Sequence, residues 1–187
     1  MKFSMKKVTV LLADGFEEIE ALTGVDLLRR AKVYVDTVSI TDDYTVRGAH
    51  GIPVQTEDLI TEIDFKESDM IVLPGGMPGT TNLKEDENVR KAVQEAYDDG
   101  RYVAAICAAP TILADMGLLK GKRATCYPDM ESEIEDAYLT GAPVATDENI
   151  ITSQGVGTAI DFALKLIEVL ISEEKAVEIA DSIVYQR

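Results

Sequence analysis

Tyr102-Val103-Ala104-Ala105-Ile106-Cys107-Ala108-Ala109-Pro110-Thr111 runs from an apolar, β-prone segment into a cysteine. Small residues and a proline then lead to the helical pattern Thr111-Ile112-Leu113-Ala114-Asp115-Met116. The stretch predicts a strand, a sharp turn and a helix, with the thiol at the turn. Small neighbours let the backbone bend tightly, as at the nucleophile elbow of hydrolases. Pro110 is tolerated in a first helical turn because its missing N–H would be unpaired there anyway. A thiol beside a helix N-terminus meets unpaired N–H groups and the positive end of the dipole, which favour thiolate. Cys107 is therefore placed for reactivity. The alternative is a small apolar cysteine buried in an α/β core.

Working outward, the same alternation repeats. Val8 to Ala13 is a short continuous apolar run, as expected of a strand buried on both faces. After Asp14-Gly15, the segment Glu17 to Arg30 reads as a helix with acids in its first turn and Arg29 and Arg30 in its last. Its residues Ile19, Leu22 and Leu27 are expected to face the core. Val33 to Ile40 is the next strand, and Thr41 to Thr56 a polar excursion or hairpin. Met70 to Leu73 is a buried strand that enters Pro74-Gly75-Gly76-Met77-Pro78-Gly79. Glu85 to Asp99 is a helix ended by Gly100. Ala124 to Cys126 is a short strand, and Pro143 to Ala145 pairs with Asn149 to Thr152 around Asp147-Glu148. A strongly helical pattern begins at Thr158, and Ser172 caps a last helix that extends to about Tyr185.

Strands alternating with helices imply a single α/β domain, residues 1–187, built on a doubly wound, mostly parallel sheet with helices on both faces. Ligands of such sheets sit at the carboxyl ends of the strands. The turns at Asp14 to Glu20, Pro74-Gly75-Gly76 and Cys107 are expected to share that edge.

The chain has 187 residues and a formal net charge of −16. Phosphate backbones and anionic lipid would repel a chain this acidic, so neither nucleic acid nor membrane is an expected partner. Cys107 and Cys126 are the only cysteines, which argues against a disulfide scaffold and suits a reducing cytoplasm. The apolar run after the basic start at Met1 to Lys7 is too short for a signal peptide.

A reactive cysteine needs an acid at its sulfur or backbone donors for a developing anion. Glu17, Glu18 and Glu20 are the candidate acids. Spacing puts Glu17 and Glu20 on a similar helix face but does not choose among the three, and charge at a helix N-terminus explains any of them equally. A carboxylic acid kept neutral in an apolar site can donate a hydrogen bond to a thiolate. The Gly75-Gly76 turn can aim an N–H at an anion. Gly155-Val156-Gly157 has no βαβ unit after it and reads as packing and a turn, not dinucleotide binding. His50, the only histidine, lies in a polar loop. With the cysteines far apart, no metal-ligand spacing is present.

Together these residues resemble the ThiJ/PfpI superfamily, in the branch of the parkinsonism-associated deglycase and the YajL proteins. The resemblance runs through Glu17-Glu18-Ile19-Glu20-Ala21, Val72-Leu73-Pro74-Gly75-Gly76, Ala104 to Pro110, and Thr152-Ser153-Gln154-Gly155-Val156-Gly157-Thr158-Ala159. It implies a flavodoxin-like three-layer sandwich of the class I glutamine amidotransferase-like type, usually homodimeric. It implies Cys107 as nucleophile, Glu20 as the acid touching the sulfur, and backbone N–H groups of Gly76 and Ala108 at the anion site. Gly75 and Tyr127 would line the site, and Arg30 and Arg47 would approach it near a dimer interface. The implied chemistry is cofactor-independent: glyoxalase- or deglycase-like action on small reactive carbonyls. The alternative is oxidant sensing or chaperoning through a Cys107 sulfinic acid. Tyr127 stands where the parkinsonism protein has histidine, and Ala108 where PfpI-type proteases have it, so peptidase activity is not expected. Cys126, beside Tyr127, is read as a reduced bystander, with a disulfide or a resolving role as the alternative.

Overall fold

A computed structural model describes residues 5–186; Met1 to Ser4, most of the basic start, and Arg187 lie outside them. The elements in chain order are β1 (Lys7–Leu12), α1 (Glu18–Arg30), β2 (Tyr34–Ser39), β3 (Thr45–Arg47), β4 (Pro53–Gln55), β5 (Asp58–Leu59) and β6 (Met70–Leu73). Then come α2 (Gly79–Glu85), α3 (Glu87–Asp98), β7 (Tyr102–Ile106), α4 (Pro110–Asp115), β8 (Arg123–Ala124) and β9 (Tyr138–Leu139). The chain closes with β10 (Val144–Asp147), β11 (Ile150–Ser153), α5 (Ala159–Leu170) and α6 (Glu173–Ser182).

A seven-stranded sheet in the order β10-β11-β7-β6-β1-β2-β5 forms the middle layer. All its pairings are parallel except β10 against β11. Side chains alternate across it with the period of two that a strand imposes. Val8, Val10, Val72, Ala104 and Ile106 pack with Leu28, Phe162, Leu166 and Ile179 of α1, α5 and α6. Leu11, Ile71, Leu73, Val103 and Ala105 pack on the other face with Val89, Val93, Ile112 and Leu113 of α3 and α4. This is the doubly wound, mostly parallel sheet that the pattern predicts and the flavodoxin-like three-layer sandwich that the resemblance implies. No helix among the described residues is long and apolar enough to cross a membrane.

Three local expectations are corrected. The helix expected over Glu85 to Asp99 forms as α3, but Glu85 ends the separate helix α2. Asp86 sits between them in an extended conformation, and its carboxylate caps α3 by accepting from the N–H groups of Asn88 and Val89. The strand expected over Ala124 to Cys126 is only β8, so Cys126 lies beyond it. Ile19 and Leu22 do not face the core: they are 52% and 37% exposed. Glu18, Glu20, Ala21, Val25 and Leu28 are buried instead. The inward face of α1's first turn is carboxylate because polar groups await it there.

Candidate active site

The carboxyl ends of β1, β6 and β7 meet at one edge, and the site is built from the turns that leave them. At the end of β7 the chain reverses through Cys107, whose φ is +65°. A non-glycine residue in that region costs about 1–2 kcal/mol and persists only where its surroundings hold it. They do: the Cys107 N–H donates to the Ser153 carbonyl at 3.0 Å, and its carbonyl accepts from the Tyr127 N–H at 2.8 Å. Pro110 then starts α4, as expected.

The turn after β6 lies against this elbow. A Cβ on Gly75 would lie 2.6 Å from both Cys107 Cβ and Glu20 Oε2. Gly76 has a φ of +92°, and a Cβ there would lie 2.3 Å from the Glu17 nitrogen. Glycine is the residue that lets three backbones approach so closely.

The structure gives the three glutamates at the start of α1 separate jobs. Glu17 is the N-cap: its Oε2 accepts from the Glu20 N–H at 2.9 Å, and its own N–H donates to the Gly75 carbonyl at 2.9 Å. Glu18 turns away to the β3–β4 hairpin. Its Oε1 accepts from the His50 N–H, and its Oε2 lies 2.8 Å from His50 Nδ1. Burial raises the Glu18 pKa, but the hydrogen bonds from the His50 ring and from backbone N–H groups outweigh that and hold it below the ordinary carboxylate value.

Glu20 points at the cysteine and is only 2% exposed. Its Oε2 accepts from the Gly75 N–H at 3.0 Å. Among the described residues its Oε1 has no hydrogen-bond partner, and the Cys107 thiol stands within hydrogen-bonding reach of the Glu20 carboxyl. Burial pushes the Glu20 pKa up to about 7; the Glu17 charge adds to this, while the thiol and the Gly75 N–H oppose it. The Cys107 thiol is pushed up to about 12, first by burial and then by the charge and hydrogen bond of Glu20. The backbone N–H groups of Ala108 and Gly76 pull the other way. Glu20 and Cys107 thus compete for one proton. A neutral Glu20 removes the charge that disfavours thiolate.

A cavity of about 360 Å³ opens over the pair, walled by Glu17, Gly76, Tyr127, Gly155 and Val156. That is room for a small ligand. Gly155-Val156-Gly157, read in the sequence as packing and a turn, forms one side of this cavity. A larger cavity of about 610 Å³ lies beyond Ala108, and neither Cys107 nor Glu20 lines it.

Residues 6–169 match the model of the DJ-1/PfpI family. The chain belongs to that family. Protein DJ-1 homolog B of Arabidopsis thaliana is 40% identical over 186 residues, which are 98% of this chain and 42% of that protein. The glutathione-independent glyoxalase DJ-1 of Schizosaccharomyces pombe is 34% identical over 91% of this chain and 94% of its own length. The crystal structure of Drosophila melanogaster DJ-1beta superposes with a TM-score of 0.94 at 34% identity, covering 98% of this chain and all of that one. The oxidized form of Toxoplasma gondii DJ-1 superposes with a TM-score of 0.92 at 36% identity, covering 97% of this chain and 100% of that one.

Of the expected site residues, Cys107, Glu20, Gly75, Gly76, Ala108 and Tyr127 come together. Arg30 and Arg47 do not join them within one chain. Arg30 lies ten residues beyond Glu20 on α1, about 15 Å along the axis, and holds Asp26 at 2.8 Å. The Arg47 guanidinium binds the Gly51 carbonyl at 2.8 Å. Cys126 is free and buried in the α3/α4 face of the core, where burial and the charges of Glu131 and Glu133 push its thiol up to about 11.

His50 is exposed, as its polar loop predicts, yet it stands against the site's acids. The ligating atoms of Glu17, Glu18 and His50 lie within 4.8 Å of one another. Glu18's oxygens already accept from His50 and its backbone, so the trio serves as a brace for the hairpin. The sequence signal was the tight Gly48-Ala49-His50-Gly51 turn: a Cβ on Gly48 would lie 2.2 Å from Glu18 Oε1.

Proposed function

We propose that this chain is a cofactor-independent hydrolyase of small reactive carbonyls, glyoxalase- or deglycase-like, with Cys107 as nucleophile and Glu20 as proton carrier. The observation that carries this reading is a buried carboxylic acid, half-protonated near neutral pH, set against a strained cysteine under a small open cavity. The relative named as a glutathione-independent glyoxalase supports it.

With methylglyoxal, proton transfer from Cys107 to Glu20 gives thiolate and neutral acid. The sulfur adds to the aldehyde carbon, and the new alkoxide takes a proton to give a hemithioacetal. The Ala108 and Gly76 N–H groups favour the anionic side of this exchange. Glu20 takes the proton from that carbon and returns one to the neighbouring carbon, leaving a thioester of the hydroxy acid. Water cleaves the thioester, releasing lactate and the thiol. The net reaction adds one water, with no external oxidant or reductant. Wild-type protein is expected to produce lactate from methylglyoxal, and Cys107→Ser none. Equal turnover by the two proteins would refute the assignment.

A second reading has a specific basis: a neutral Glu20 can donate a hydrogen bond to an oxidised sulfur as well as to a thiolate. Under it, Cys107 senses oxidants by forming a sulfinic acid. Mild peroxide should then add two oxygens at Cys107 and none at Cys126 by intact mass and peptide mapping. Oxidation spread over the methionines instead would rule it out.

We also propose that a second copy covers the outer face of α1. The support is the group of exposed apolar residues Ile19, Leu22 and, on the hairpin braced by Glu18, Ile52. In that assembly Arg30 or Arg47 would act across the interface. Light scattering is expected to give twice the 20.4 kDa chain mass, and Ile19→Asp with Leu22→Asp to give the monomer. A monomeric wild type would refute it.

A further inference from the structure

His50 lies outside the cavity and touches neither the sulfur nor Glu20, yet it connects to both. Its Nδ1 is 2.8 Å from Glu18 Oε2 and 3.7 Å from Glu17 Oε1. Glu18 also takes the His50 and Ile52 backbone N–H groups, so the ring is held in register with the start of α1. Glu17, between His50 and Glu20, binds the Glu20 backbone N–H with its other oxygen at 2.9 Å. Within one chain the ring is open to solvent, with its side chain 69% exposed.

We propose that His50 is a positioning residue: held by Glu18 against Glu17, its ring charge offsets the Glu17 carboxylate and so sets how tightly Glu20 holds the proton it shares with Cys107. This rests on the Cys107–Glu20 pairing above, not on turnover of any carbonyl.

Among the described residues, Glu18 and Glu17 are the charged groups that act on the ring. From α1 come Glu17, Glu18 and, one step further, Glu20. On its own hairpin, the Arg47 guanidinium is turned to the Gly51 carbonyl. Asp14, in the turn before α1, holds the Arg47 backbone N–H. Across the cavity stand Cys107 and Tyr127.

The hydrogen bond to Glu18, then the Glu18 charge and that of Glu17, raise the His50 pKa above its ordinary 6.5. The ring therefore keeps its charge to higher pH than a free imidazole would. While His50 is charged, it weakens the repulsion between Glu17 and an ionised Glu20, and Glu20 gives up its proton more readily. Once His50 is neutral, Glu17 acts unopposed and Glu20 holds its proton more tightly.

The test is the pH dependence of Cys107 alkylation by iodoacetamide, read by mass from pH 5 to 9. It needs no substrate. In wild type, the acid-side midpoint reports the first proton lost from the Cys107–Glu20 pair. His50→Gln keeps a hydrogen-bond donor for Glu18 but carries no charge. It is expected to move that midpoint up by about half a pH unit and to raise the alkylation rate on the plateau above it about threefold, because a Glu20 that holds its proton more tightly leaves more of the shared charge on the sulfur, a modest shift because solvent screens an exposed charge. His50→Arg, charged at every pH, is expected to restore the wild-type midpoint on the acid side. In a Glu17→Gln background, His50→Gln is expected to have little effect, because the carboxylate it works through is gone. An unmoved midpoint in His50→Gln, or a full shift in the Glu17→Gln background, would overturn the proposal. An unchanged profile in Glu20→Gln would remove the pairing itself, and the proposal with it.

Discussion

Glu20→Gln should abolish most of the activity and at the same time make the protein more stable at alkaline pH. Glutamine keeps an oxygen for the Gly75 N–H and fills nearly the same volume, but it can neither take nor return a proton. Losing a positioned general acid–base group lowers rates by about 10²–10⁴-fold, and lactate production should fall within that range.

The stability effect has the opposite direction. Burial raises the folded-state pKa of Glu20 from the ordinary 4.5 to about 7. A carboxyl raised in this way contributes stability that is fully present below about pH 4.5 and is lost as pH rises through about 7. Above that, the native state carries a buried carboxylate that the unfolded chain would hydrate. The difference is of order 3 kcal/mol, an upper figure because Glu20 and Cys107 titrate together. Glutamine is neutral at every pH. Thermal melts of wild type and Glu20→Gln should therefore agree near pH 4 and separate at pH 8, with the variant several degrees higher. A variant that melts lower at pH 8 would contradict the raised pKa. The combination is the usual trade at a functional site, where a group kept for chemistry weakens the fold.

Gly75→Ala should be nearly as damaging to activity, through geometry alone. The new methyl group would stand 2.6 Å from Cys107 Cβ, 2.6 Å from Glu20 Oε2 and 3.0 Å from the Ile106 carbonyl. None of these can yield cheaply. Cys107 is fixed by backbone hydrogen bonds on both sides, and Glu20 Oε2 by the Gly75 N–H itself. The methyl group must push the acid and the thiol apart or displace the turn. Overpacking of this kind costs about 1–3 kcal/mol of stability. A displacement of about 1 Å between reacting groups costs about 10²-fold in rate. Gly100→Ala is a useful control, since nothing lies within 4 Å of its Cβ position and any loss there reflects its positive φ alone. A Gly75→Ala enzyme with wild-type turnover would show that the close approach of the β6 turn has no part in holding the pair.

The sequence by itself determined the architecture and the position of the cysteine at the elbow. Short apolar runs alternating with 3.6-period segments allow little except a parallel sheet covered on both faces. The order of small residues and proline after Ile106 announces the elbow, and both are properties of neighbours along the chain. The tertiary structure decided what depends on neighbours in space. Periodicity says which residues of α1 share a face but not which face turns inward. The expectation that Ile19 and Leu22 would be buried failed because the Gly75 N–H, the Cys107 thiol and the hairpin amides require acceptors there. The same fact sorts three adjacent glutamates into an N-cap, a hairpin brace and the acid at the sulfur. The cap belongs to α1 itself, and the other two jobs are set by what the turns of other strands present. Arg30 and Arg47 stand apart from the cavity for a similar reason: a motif match gives their place in the chain, and the fold gives their distance from the sulfur. His50, one histidine in a polar loop, had no local signal of its own beyond a tight turn, and it meets Glu17 and Glu18 only because the hairpin folds back onto the start of α1.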